Sequence, residues 1–110
     1  MKKINILGTE YTVNIVEEHK KIDNIRLGFT DFSTKEIIVG KLSYDEENSI
    51  ENLEYFQNKI LRHEIVHAFL YESGLNENTD WAENEEIVDW IAIQFPKLNK
   101  LFKELKILDD

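Results

Sequence analysis

Polar and apolar residues alternate through the first forty positions of the chain and then change period. Ile4-Asn5-Ile6-Leu7 and Tyr11-Thr12-Val13-Asn14-Ile15-Val16 read as strands flanking a short loop, Gly8-Thr9-Glu10. The second run sets Tyr11, Val13 and Ile15 on one face and Thr12, Asn14 and Val16 on the other. Glu17 to Asn24 is polar and reads as a loop. Arg26 to Thr30 and Lys35 to Val39 form a second predicted hairpin through Asp31-Phe32-Ser33-Thr34.

From about Ser49 the period becomes helical. Ile50 to Tyr71 contains neither Pro nor Gly, and Ile50, Leu53, Phe56, Ile60 and Leu61 recur near 3.6 residues. Ile65, Val66, Ala68, Phe69 and Leu70 then spread apolar character round the axis, which predicts a central, buried helix. Ser73-Gly74-Leu75 stops it, Gly74 suiting a left-handed position just past the end. Asp80 with Glu83 has capping-box spacing for a second helix, which Phe95-Pro96 ends. Pro96 suits the first turn of a third helix, whose Leu98, Leu101, Phe102 and Leu105 form a stripe that packs on the core or meets a partner helix. The expected architecture is α+β: a small N-terminal antiparallel sheet of about four strands, then three helices, in one domain spanning residues 1–110.

Composition narrows the class. At 42% hydrophobic the 110 residues can build a core, and the absence of cysteine removes disulfide and thiolate metal sites. There is no apolar leader and no run near the ~20 residues that span a bilayer, so a cytoplasmic protein without membrane contact is expected. The net charge of −9 repels phosphate backbones and argues against nucleic acid as a partner.

Chemistry concentrates in His63-Glu64-Ile65-Val66-His67. Histidines four apart on a helix lie about 40° from each other, so both imidazoles can reach one zinc ion, while Glu64 flanks them within reach of a water on that ion. Two ordinary helical histidines beside a surface glutamate are the plain alternative. Against it, the motif sits in the most apolar segment of the chain, where polar side chains need partners.

A catalytic zinc needs a third protein ligand and a free position. His19 and several downstream carboxylates are available. The extended metzincin pattern is absent, because Leu70 and Ser73 stand where it requires Gly and His. On a helical wheel Glu85 falls beside Trp81, Val88 and Ala92, whereas Glu83 and Glu86 fall away from that stripe. A carboxylate there calls for a cation, which makes Glu85 the expected third ligand unless it is a mis-phased surface charge. Asp89, one turn on, is placed to accept from a ligand histidine, His63 in particular, or to stand solvated at the edge.

Asn84-Glu85-Glu86-Ile87-Val88-Asp89 resembles the NExxxD segment that follows HExxH in thermolysin-like gluzincins, and residues 85–92 are similar to the ExxxN/DxFA signature of ImmA/IrrE-type peptidases of phages and mobile elements. The resemblance covers roughly residues 60–93. Val66 replaces a frequent Gly and Ile91 the usual Phe. It implies a minimal zincin-like metallopeptidase acting on a protein or peptide, with His63, His67 and Glu85 holding Zn²⁺, Asp89 behind a histidine, and Glu64 as the base. Lys35 to Val39 is the expected edge strand for an extended substrate. Tyr71 either serves the oxyanion or simply packs. The alternatives are a non-catalytic zinc protein acting as a protein-interaction module, and a metal-free structural domain.

Overall fold

The computed structural model describes residues 1–23, 26–42 and 52–109. Four strands, β1 (Lys2–Ile6), β2 (Thr9–Val16), β3 (Gly28–Asp31) and β4 (Glu36–Gly40), precede three helices, α1 (Leu53–Glu72), α2 (Leu75–Asn78) and α3 (Glu85–Glu104). The α+β architecture is as expected. Ile50 and the start expected near Ser49 lie outside the described residues; α1 begins behind Asn52, whose side chain accepts from the Tyr55 N–H.

The sheet departs from the antiparallel expectation. Its order is β1-β2-β4-β3, with antiparallel β1/β2 and β3/β4 hairpins joined by a parallel β2/β4 pairing. The physical reason lies in β4. Ile37, Ile38 and Val39 are consecutive and all buried, so this strand has no face that tolerates water. Such a run belongs between two other strands. β3 consequently takes the edge and lies against α1. Gly28 permits that approach, since a Cβ there would fall 2.9 Å from Ile60 Cγ2 and 3.3 Å from Glu64 Cγ. The core under the sheet is Ile6, Tyr11, Val13, Ile37, Val39, Ile60 and Ala68.

A polar knot ties the end of α1 to both hairpins. The Glu72 carboxylate accepts from Thr9 Oγ1 at 2.8 Å, Tyr11 Oη at 2.7 Å and Lys35 Nζ at 2.9 Å. These donors hold its carboxyl down at about 2, below its ordinary value of 4.5. A carboxyl lowered on folding stabilises above its unfolded pKa and loses that contribution as pH falls through the folded one. Glu72→Gln is therefore expected to lower the midpoint of urea unfolding at pH 7, with the gap to wild type closing between about pH 4.5 and 2. A constant gap over that window would assign the loss to packing.

The helices also differ in their bounds. α1 is not buried all round: Ala68 is fully covered while Phe69 is 44% exposed. It stops as expected, with Gly74 left-handed at φ +84°. Trp81–Glu83 is a single 3₁₀ turn, and Asp80 makes no side-chain cap. Asn84 caps α3 instead, accepting from the Ile87 N–H at 3.0 Å. α3 then runs straight through Pro96, so the segments expected on either side of that residue are one helix. A proline inside a helix leaves the carbonyl four residues back without its amide donor. Here that carbonyl belongs to Ala92, and Arg62 Nε of α1 donates to it at 2.7 Å.

Candidate metal centre

α1 carries His63, Glu64 and His67, and the first two turns of α3 carry Glu85 and Asp89. Packing of Val88, Ala82 and Leu70 holds the two helices together beside the site. One nitrogen from each histidine and one Glu85 oxygen lie within 4.8 Å of one another, a group that could hold a metal ion. The two Nε2 atoms are 3.2 Å apart. Glu85 Oε2 is 3.2 Å from His63 Nε2, and Oε1 is 2.6 Å from His67 Nε2.

The tautomers sharpen this. His63 Nδ1 is 3.1 Å from Asp89 Oδ1. A carboxylate only accepts, so Nδ1 is the donor, and in the neutral ring Nε2 is left with a lone pair. That lone pair faces the second imidazole and the Glu85 carboxylate. Three groups with lone pairs converging in this way could share one cation. Two imidazole nitrogens and a carboxylate oxygen within 4.8 Å of one another are a donor set of the kind that zinc accepts.

Asp89 has a second partner. Lys59 Nζ lies 3.1 Å from the same Oδ1, and Lys59 precedes His63 by one turn of α1. Partial burial works to raise the Asp89 carboxyl, but Lys59 and His63 outweigh it and leave it below its ordinary value. Asp89→Asn keeps the shape and removes the charge behind His63. Zinc affinity, measured by competition with a chromogenic chelator, is expected to fall about 10–100-fold. An unchanged affinity would leave Asp89 as a partner of Lys59 alone.

Glu64 is set apart from the ligands. It is 7% exposed, and it is the buried charged residue among those described. Burial raises its carboxyl, opposed by the Thr30 hydroxyl and by His63 and His67. Thr30 Oγ1, on edge strand β3, is 3.0 Å from Glu64 Oε1 and 3.1 Å from the Glu64 carbonyl oxygen. The carboxylate thus points along β3 into a cleft of about 440 Å³, whose walls include Phe29, Thr30, Phe32, Phe56 and the three metal-site residues.

Several residues fall differently from expectation. Glu85 reaches the histidines, but from the exposed first turn of α3 and not from an apolar stripe; its side chain is 70% exposed. Trp81, used to phase that stripe, is outside the helix. His19 is not part of the group: its ring packs on Phe29, with centroids 5.2 Å apart. Tyr71 stacks on Phe32 at 4.2 Å and is not among the cleft-lining residues, so the packing alternative describes it. The expected edge strand, Lys35 to Val39, is interior, and β3 borders the cleft. Lys59 was detectable from its spacing to His63. Thr30 carried no signal, because its role depends on β3 crossing α1.

Comparison of the chain with protein-family models, with curated proteins and with solved structures finds no match. Among the described residues, no helix is long and apolar enough to cross a membrane.

Proposed function

We propose that the chain is a zinc-dependent metallopeptidase that cleaves a protein or peptide substrate. One observation carries the reading: a buried carboxylate, Glu64, stands beside two histidines and a glutamate that could share one ion, yet belongs to a different hydrogen-bond network. A structural metal site has no use for such a group.

His63, His67 and Glu85 would hold the zinc, leaving a position open toward the cleft. Zinc there supplies Lewis acidity, lowering the pKa of a water toward ~7 and polarising a carbonyl. Glu64 takes the proton from the attacking water and passes it to the amine as the C–N bond breaks. Thr30 holds Glu64 Oε1 in place for both transfers. Asp89 keeps the His63 ring turned with Nε2 toward the ion. The outer side of β3 is free of strand pairing among the described residues, so an extended peptide can add to it and present its carbonyl at the cleft.

A non-catalytic zinc protein is the second reading. It is favoured by the position of Tyr71, which stacks on Phe32 and does not line the cleft, so this candidate donor for the oxyanion is not in place. Incubation with an unbiased peptide library separates the two. Protein carrying near one zinc per chain is expected to give zinc-dependent cleavage with a consistent sequence pattern. Full zinc occupancy with no cleavage would remove the peptidase reading and keep the metal.

A further inference from the structure

α3 has a second apolar face. Val88 and Ala92 turn one side of the helix inward. Roughly 100° round the axis, Ile87, Ile91, Leu98, Leu101 and Leu105 form another stripe at helical spacing. Its exposure is high: Leu98 37%, Leu101 48% and Leu105 61%, with Trp90 and Phe95 on its flanks at 57% each. Near Ile91 the stripe opens into a groove of about 450 Å³ between α1 and α3, walled by Val66, Phe69, Leu70 and Phe95. The second half of α3 projects from the body. The radius of gyration is 15.1 Å, against ~13 Å for a compact chain of this length. Half a helix, projecting and unsupported, is marginal in water, so this one calls for a covering surface.

Charge selects the cover. Glu83 and Glu86 stand at and just before the start of α3, and Lys97, Lys100 and Lys103 in its second half. Glu86 and Lys97 lie on the same flank of the stripe, within ~20° of each other round the axis. In an antiparallel helix pair, like flanks meet. A second copy laid antiparallel and centred near Ile91 brings Glu86 of each copy opposite Lys97 of the other. In a parallel pair unlike flanks meet, so Glu86 and Lys97 do not face each other.

We propose that the chain forms a two-fold dimer through antiparallel α3 helices, each stripe covering the other's groove. The interface is isologous, so each favourable pair occurs twice. Within the paired stretch, residues 85–98, the exposed apolar side chains Ile87, Trp90, Phe95 and Leu98 offer roughly 400 Å² per chain. Lysine stems extend this toward the ~800 Å² per partner of a stable interface. Glu85 and Asp89 point to a different side of α3, so the metal cleft stays open, and the dimer does not depend on the chemistry of that cleft.

Light scattering of the full chain over about 5–500 µM is expected to show a mass rising from 13.0 kDa to twice that value. Ile87→Glu with Leu98→Glu, both on the exposed stripe and inside the paired stretch, is expected to abolish the rise with an unchanged circular dichroism spectrum. Glu86→Lys and Lys97→Glu should each weaken the homodimer at least ~10-fold, and an equimolar mixture of the two should pair as well as wild type. A wild-type chain monomeric throughout overturns the proposal. So does a dimer that survives Ile87→Glu with Leu98→Glu, which would lie on another face. Charge variants that fail to rescue each other overturn the antiparallel arrangement.

Discussion

Stripping zinc from the purified chain is expected to lower its thermal midpoint by roughly 15–30 °C, and His63→Ala, His67→Ala and Glu85→Ala should each erase that difference. The size follows from linkage. A ligand present at a thousand times its dissociation constant adds ~4 kcal/mol to the state that binds it, and ~1 kcal/mol moves the midpoint of a domain this small by about 4–8 °C. Differential scanning calorimetry with and without chelator measures both. Wild type with one midpoint under both conditions, and no zinc by elemental analysis, would leave a metal-free fold.

Glu64→Gln is expected to cut hydrolysis by about 10²–10⁴-fold while the protein keeps its full zinc content. The amide matches the carboxylate in shape and can still meet the Thr30 hydroxyl, but it cannot take a proton from water. Turnover is measured on whatever peptide the library screen yields, and zinc by elemental analysis of the same sample. Loss of both together would make Glu64 a support of the metal and not the base. Turnover that survives with zinc in place would move the proton transfer to another group. The variant should also unfold at a slightly higher temperature than wild type, because a buried carboxylate raised by desolvation becomes a neutral side chain.

The local features of this chain were the ones legible in its sequence. The four strands, the Gly74 stop and the placing of His63 and His67 on one helix face follow from spacing and turn chemistry alone. Features that depend on distant residues were not legible. Lys35 to Val39 was expected at an edge, although Ile37-Ile38-Val39 is apolar throughout; its interior place and its flanking strands are properties of the whole sheet. Pro96 reads locally as a boundary; it ceases to be one because Arg62, thirty residues earlier than Ala92, supplies the missing donor. Glu85 was found through a helix start four residues too early. The choice still named the carboxylate at the histidines, since Val88 and Ala92 do face inward and fix the side of α3 that meets α1. The partners of Glu64 and Glu72 come from strands folded over the helix, and helical periodicity is silent on both.

The link between Arg62 and the Ala92 carbonyl also makes two distant positions interdependent. Arg62 precedes His63, and Ala92 lies one turn beyond Asp89, so this hydrogen bond ties α1 to α3 beside the candidate site. Loss of Arg62 strands that oxygen while the proline remains. Exchange of Pro96 for an ordinary residue restores a helical donor to it. Arg62→Met and Pro96→Ala are therefore expected to be non-additive in a double-mutant cycle, the first costing less stability once the second is made.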